Sequence, residues 1–92
     1  MTPTTGLNDN LDFMGRILHI QTEDVGYSGR CITTQVFCNG RLLLSTKSDY
    51  PAILSAHSGR ANIAKLMREQ HFTVIQDLEK RKLRIQQPNL VS

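Results

Sequence analysis

The chain reads CITTQVFC at residues 31–38, NG at residues 39–40 and RLLLSTK at residues 41–47. Two β-prone runs around an Asn-Gly pair predict a two-residue hairpin, because a type I′ turn needs positive φ at both central residues and Asn and Gly accept it readily. In the register that this turn imposes, Val36 lies opposite Leu43 and Gln35 lies opposite Leu44. The stretch therefore predicts the central antiparallel hairpin of the fold.

Both faces of this hairpin carry apolar side chains. One face holds Ile32, Thr34, Val36, Cys38 and Leu43. The other face holds Cys31, Thr33, Gln35, Phe37, Leu42 and Leu44. A sheet with one wet face alternates apolar and polar residues, so two apolar faces imply that each is covered. One helix covers one face, and we expect Phe37, Leu42 and Leu44 to contact a protein partner, in the simplest case a second copy in a homodimer. The reverse assignment of the two faces stays open.

The rest of the chain predicts an α+β fold. A β-prone run from Arg16 to Thr22 precedes a cluster of turn-forming residues, which suggests a three-stranded antiparallel meander (β-β-β). A short helix is expected at residues 51–57 and a long amphipathic helix at about residues 60–82. The apolar stripe of the long helix, which packs on one sheet face, contains Ile63, Leu66, Met67, Gln70, His71, Val74, Ile75 and Leu78.

Length and composition predict one small domain. The chain has 92 residues, of which 39% are hydrophobic and 21% charged, values typical of a globular protein. We expect residues 1–12 to be a flexible leader, residues 13–85 to form a single domain and residues 86–92 to be a flexible tail.

The cysteines and the apolar runs predict a cytoplasmic protein without a membrane segment. Cys31 and Cys38 point to opposite faces of one strand and cannot pair with each other, so we interpret them as free thiols in a reducing compartment. No apolar run approaches the roughly 20 residues that span a bilayer, and the first residues lack the pattern of a secretion signal.

The charge distribution keeps nucleic-acid binding open as an alternative. The net charge is +3, and residues 59–92 hold seven Lys or Arg against three Asp or Glu. A basic segment attracts nucleic acid, although cations near a helix C-terminus also complement the helix dipole. Phe72 falls opposite the apolar stripe with Arg68 close by, where an aromatic side chain among basic ones can stack on a base or anchor a protein partner.

An enzyme or a metal-binding protein is the other alternative. The usual signatures of phosphate loops, zinc motifs and nucleophile elbows are absent, and no cofactor is expected. His19, Glu23 and Asp24 remain as a polar corner at a strand end that can present ligands to a metal or a substrate. Carboxylates before a turn also have an ordinary structural role, because they accept hydrogen bonds from the nearby backbone. Gln70 and His71, within the helix stripe, are interpreted as a buried polar pair that bonds the sheet.

Four sequence patterns carry a resemblance to a known group of proteins. They are His19-x-Gln21-Thr22-Glu23-Asp24-x-Gly26, Ile32-x-Thr34-x-Val36-Phe37-x-x-Gly40, Ser45-x-Lys47-x-x-Tyr50 and Leu66-Met67-x-x-Gln70-His71. With these patterns the chain resembles a family of small, largely uncharacterised bacterial proteins, and it is similar to the RomX-like partners of Ras-like GTPases in motility and cell-polarity systems. The resemblance implies a stand-alone cytoplasmic regulatory domain.

The polar residues in these patterns suggest one network and leave three classes of function. A network that joins helix to strand end would contain His19, Gln21, Glu23, Asp24, Gln70 and His71. The favoured class is a non-enzymatic protein-interaction or regulatory module that forms a homodimer. Nucleic-acid binding through the basic C-terminal third and a small enzyme or metal-binding protein at the polar corner are the alternatives.

Overall fold

The computed structural model describes residues 6–25, 30–50 and 60–86. They form strands β1 (Leu7–Phe13), β2 (Arg16–Asp24), β3 (Cys31–Cys38) and β4 (Arg41–Asp49), and helix α1 (Arg60–Gln86). The strands make one antiparallel sheet in the order β1-β2-β3-β4, and α1 packs on β1, β2 and β3. The predicted α+β class and the long helix are therefore confirmed. The short helix expected at residues 51–57 lies outside the described residues, as does most of the expected tail.

The sheet has four strands, so the prediction of three is wrong. The additional strand is β1, in a segment that we assigned mostly to a flexible leader, and it pairs with β2 from Leu7 opposite Thr22 to Phe13 opposite Arg16. β1 places Leu7, Leu11 and Phe13 against the two core clusters of the domain. Because only these three side chains are apolar in a strand that is otherwise Asn and Asp, its pattern gives a weak β signal.

The turn between β1 and β2 explains why the sequence does not predict the first hairpin. Met14 and Gly15 have φ values of 58° and 89°, which closely match the 54° and 79° of Asn39 and Gly40. Met rarely adopts positive φ, since its Cβ then crowds the backbone. The Gly15 N–H donates to Asp12 Oδ1 at 3.0 Å, a local bond that helps to hold the turn.

Replacing Met14 with Asn is expected to raise the free energy of unfolding by about 1 kcal/mol, because Asn tolerates the left-handed conformation better. Urea denaturation followed by circular dichroism measures the change. Met14→Ala is the matched control, since it also removes the exposed apolar side chain but keeps the unfavourable positive φ. Equal stability of the Asn and Ala variants would contradict the explanation.

The β3–β4 hairpin turns at Asn39 and Gly40 as predicted, but its register differs beyond the turn. Phe37 lies opposite Leu42, whereas Val36 lies opposite Leu44, so that Leu43 is an extra residue in a β-bulge. The expected pairing of Val36 with Leu43 is therefore wrong. The bulge turns Leu44 to the helix side of the sheet, where it packs against the core.

The core lies between α1 and the inner face of the sheet, which is the face that α1 covers. One cluster contains Leu18, Ile20, Val36, Cys38, Val74 and Leu78. The second cluster contains Ile32, Tyr50, Ile63 and Met67. The helix residues in both clusters belong to the predicted apolar stripe, which is thus confirmed. Cys31 and Cys38 are buried free thiols. Among the described residues, no helix combines the length and apolar character needed to cross a membrane.

Candidate functional site

A chain of hydrogen bonds connects four side chains from β1, β2, β3 and α1. Thr34 Oγ1 lies 2.6 Å from Thr22 Oγ1, which lies 2.7 Å from His71 Nδ1. On the other side of the imidazole, His71 Nε2 lies 2.7 Å from Asp9 Oδ2. The Gln70 amide extends the chain by donating to Thr34 Oγ1 at 3.0 Å. We refer to these five residues as the buried polar chain.

The strand register and the helix period bring these residues together. Thr22 and Thr34 are direct cross-strand neighbours on the inner face, and Asp9 is one of the inward positions of β1. Gln70 and His71 lie on the stripe of α1 that faces the sheet. Thr22 and Thr34 are 0% exposed and His71 is 6% exposed, so the two bonds that join these residues form where water is excluded, whereas the bonds to Asp9 and Gln70 are partly buried.

A neutral His71 gives the buried polar chain one consistent direction of donors and acceptors. The Gln70 amide nitrogen can only donate, and an ionised Asp9 carboxylate can only accept. With a neutral imidazole that carries its proton on Nε2, His71 donates to Asp9 and accepts at Nδ1 from Thr22, which in turn accepts from Thr34. Throughout the described ranges, every buried side-chain nitrogen and oxygen has a hydrogen-bond partner.

The Asp9–His71–Thr22 order resembles a carboxylate–histidine–hydroxyl catalytic triad, but its hydroxyl cannot act as a nucleophile. The Thr22 side chain is fully buried between the sheet and α1, so no substrate carbonyl reaches Oγ1. The accessible end is Asp9, whose side chain is 58% exposed. The arrangement fits a structural role in which the chain fastens α1 to three strands.

The structure separates the polar corner from this chain. His19 lies on the outer face, away from α1, with Nδ1 2.8 Å from Asn10 Oδ1. Asp24 accepts a hydrogen bond of 2.6 Å from the Tyr50 hydroxyl. Burial, followed by this bond to the carboxylate, raises the pKa of Tyr50 to about 12. Glu23 is exposed and Gln21 is half-buried. In the parts of the chain that the structure describes, no three His, Cys, Asp or Glu side chains are placed to hold a metal.

The expected partner-contact residues lie on three different surfaces. Phe37, half-buried, and Leu42, exposed, face each other across β3 and β4 on the outer face. Leu44 is on the inner face against the core. Phe72 and Arg68 are exposed on the side of α1 that faces away from the sheet. Phe37 and Leu42 therefore share one surface, and Phe72 and Arg68 share another.

Three members of the buried polar chain carry little signal in the sequence. Thr22 and Thr34 are ordinary strand residues, and their period-two spacing from buried neighbours was the only signal of an inward position. Asp9 lies in the segment that the sequence predicts to be a leader. Comparisons with protein-family models, with curated proteins and with solved structures found no match to the chain.

Proposed function

We propose that the protein is a non-enzymatic protein-interaction module that forms a homodimer through the outer face of its sheet. The observation that carries the proposal is a group of apolar side chains on the sheet face that α1 does not cover. Ile17 is 57% exposed and Leu42 is 48% exposed, with Phe37 half-buried beside them. We name these three residues the outer-face cluster.

The register supports treating the cluster as one patch. Phe37 lies directly opposite Leu42 on β4 and opposite His19 on β2, so Ile17 is its diagonal neighbour on β2. Further along the same face the side chains are polar, among them Gln21, Thr33, Gln35 and Lys47. An apolar centre with a polar surround is the usual anatomy of a protein interface.

The size of the patch fits a weak or moderate self-association. Removing three large apolar side chains from water on each of two protomers contributes several kcal/mol to the free energy of binding, at about 25 cal/mol per Å² of apolar surface buried. The entropy lost on association reduces this gain. A two-fold contact of one face with itself needs only this chain, and two-fold dimers are the commonest assemblies.

A regulatory role is the part of the proposal that rests on the sequence resemblance. The buried polar chain offers no nucleophile that a substrate can reach, and the residues of the polar corner form separate hydrogen bonds. Neither feature favours an enzymatic function over a binding function. The similarity to RomX-like regulators suggests a Ras-like GTPase as the class of partner that such a dimer would regulate.

The dimer is tested by measuring molar mass with light scattering after size exclusion, over a range of protein concentrations. We expect wild type to approach the dimer mass as concentration rises, and Ile17→Lys with Leu42→Glu to stay monomeric and folded, since both side chains are substantially exposed. The matched control is Leu83→Lys with Ile85→Glu, which places the same charges at exposed apolar positions of α1.

A monomeric wild type at high micromolar concentration would overturn the dimer. Equal dimerisation of the Ile17/Leu42 variant and wild type would move the contact to another surface. Circular dichroism of each variant checks that the fold is intact.

A further inference from the structure

A groove lies on the opposite side of the sheet from the outer-face cluster, between α1 and β4. α1 packs on β1, β2 and β3 and makes no close backbone contact with β4. Near the two hairpin turns this gap widens to a groove of about 740 Å³. Its floor contains the core side chains Leu18, Val36, Cys38 and Leu78, and two exposed apolar side chains, Met14 and Leu43, stand at its walls.

The β-bulge helps to create this groove. Because Leu43 is the extra residue between the pairs Phe37–Leu42 and Val36–Leu44, it is turned to the inner side together with Leu44. Leu44 packs into the core, whereas Leu43 remains 54% exposed at the edge of the groove. The bulge thus places a large apolar side chain where α1 does not cover it.

Three arginines from three different elements line the same groove. Arg16 begins β2, Arg41 begins β4 and Arg81 lies on α1. No Asp or Glu is among the lining residues. Within the described residues, none of the three arginines forms an ion pair, whereas the neighbouring Lys82 bonds the Asp12 carbonyl and approaches Glu79. The groove therefore combines an apolar floor with guanidinium groups that pair with no carboxylate of the described residues.

We propose that this groove binds an acidic amphipathic helix of a partner protein. The apolar face of such a helix would cover the floor together with Met14 and Leu43, and its flanking carboxylates would meet the arginines. Arginine suits this role because its planar guanidinium pairs with carboxylates through two parallel hydrogen bonds. An unbranched Met at the wall adapts to differently shaped apolar side chains, as in other helix-binding grooves.

The shape and charge of the groove favour this occupant over two others. A flat bilayer surface would contact the rim but would leave the concave floor unfilled. A single fatty-acid carboxylate would fill the floor but leave at least one arginine without an anionic partner. A helix with several carboxylates satisfies the floor and all three guanidinium groups. The proposal does not depend on the homodimer, because the two surfaces lie on opposite faces of the sheet.

The test uses a fluorescein-labelled helical peptide of about five turns, with Leu along one face and Glu on both flanks. A second peptide carries Lys in place of every Glu. Fluorescence anisotropy is expected to show binding of the Glu peptide to wild type, about tenfold or more tighter than binding of the Lys peptide. Chemical shifts of the backbone amides locate the bound peptide, with the largest changes expected in Cys38, Leu43 and Leu78.

Two variants and one control distinguish binding of the peptide in the groove from nonspecific electrostatic attraction to a basic protein. Arg41→Ser with Arg81→Ser, and separately Leu43→Ser, are each expected to weaken binding of the Glu peptide about tenfold. The control, Lys47→Ser with Lys65→Ser, removes the same charge at exposed positions outside the groove and is expected to leave the affinity within about twofold.

Equal affinity for the two peptides, or equal weakening in the groove pair and in the lysine pair, would overturn the proposal. Absence of Glu-peptide binding together with retention on phosphatidylglycerol vesicles would instead assign the surface to a membrane.

Discussion

Replacing His71 with Ala lowers the free energy of unfolding by about 3 kcal/mol, the largest effect that we expect of a single substitution in the buried polar chain. The imidazole is bonded through both of its nitrogens, to Thr22 and to Asp9. Its loss leaves the buried Thr22 hydroxyl without one of its two hydrogen-bond partners and opens a cavity between α1 and the sheet. Urea denaturation followed by far-ultraviolet circular dichroism measures the change.

His19→Ala is the matched control for this substitution. His19 also bonds a side chain of β1, Asn10, but on the outer face, where water replaces a lost partner. We expect it to cost less than about 1 kcal/mol. If the two alanine variants were equally stable, His71 would have to be accessible to water and its role in fastening α1 to the sheet would be wrong.

The buried polar chain also has a consequence for the first edge of the sheet. β1 is an edge strand, and Asp9 is a carboxylate at one of its inward positions, opposite Ile20. A charge that points inward discourages the pairing of an edge strand with another chain. The bond from His71 to Asp9 makes this arrangement compatible with a stable domain, because the carboxylate has a partner at the boundary of the core.

The elements that could be predicted from the sequence are those in which the local signal and the packing agree. The Asn39-Gly40 turn requires a backbone conformation that these two residues favour, and the α1 stripe repeats with the helix period from Ile63 to Leu78. β1 could not be predicted because Met14 occupies a positive-φ turn position that Asn usually fills. The face of Leu44 was predicted wrongly because a single extra residue, Leu43, reverses which side of the sheet the following side chains face.

The candidate surfaces could be predicted only in part, since they depend on contacts between elements distant in sequence. His71 could be placed on the inward stripe, but its partners come from strands 49 and 62 residues away. The three arginines of the groove are likewise far apart in the chain, and only the offset of α1 from β4 brings them to one opening. By contrast, the pairing of Phe37 with Leu42 follows directly from the turn.

Replacing Asn39-Gly40 with Ala-Ala is expected to lower the free energy of unfolding by about 2 kcal/mol. Both residues have positive φ, 54° and 79°, a conformation that costs about 1 kcal/mol or more for each alanine. A Cβ at Gly40 would meet no atom within 4 Å, so the cost comes from the backbone conformation and not from a steric clash. Thermal and urea unfolding provide two independent measurements.

The first turn offers an internal comparison for this result. Met14-Gly15→Ala-Ala changes a turn of nearly the same φ values, and a Cβ at Gly15 also meets no atom within 4 Å. Because Met14 already bears the cost of a side chain at positive φ, only the change at Gly15 adds strain, and we expect about half the loss seen at Asn39-Gly40. Equal losses of unfolding free energy at the two turns would mean that Asn39 does not stabilise its turn. The Asn-Gly turn would then be no more stable than the Met-Gly turn.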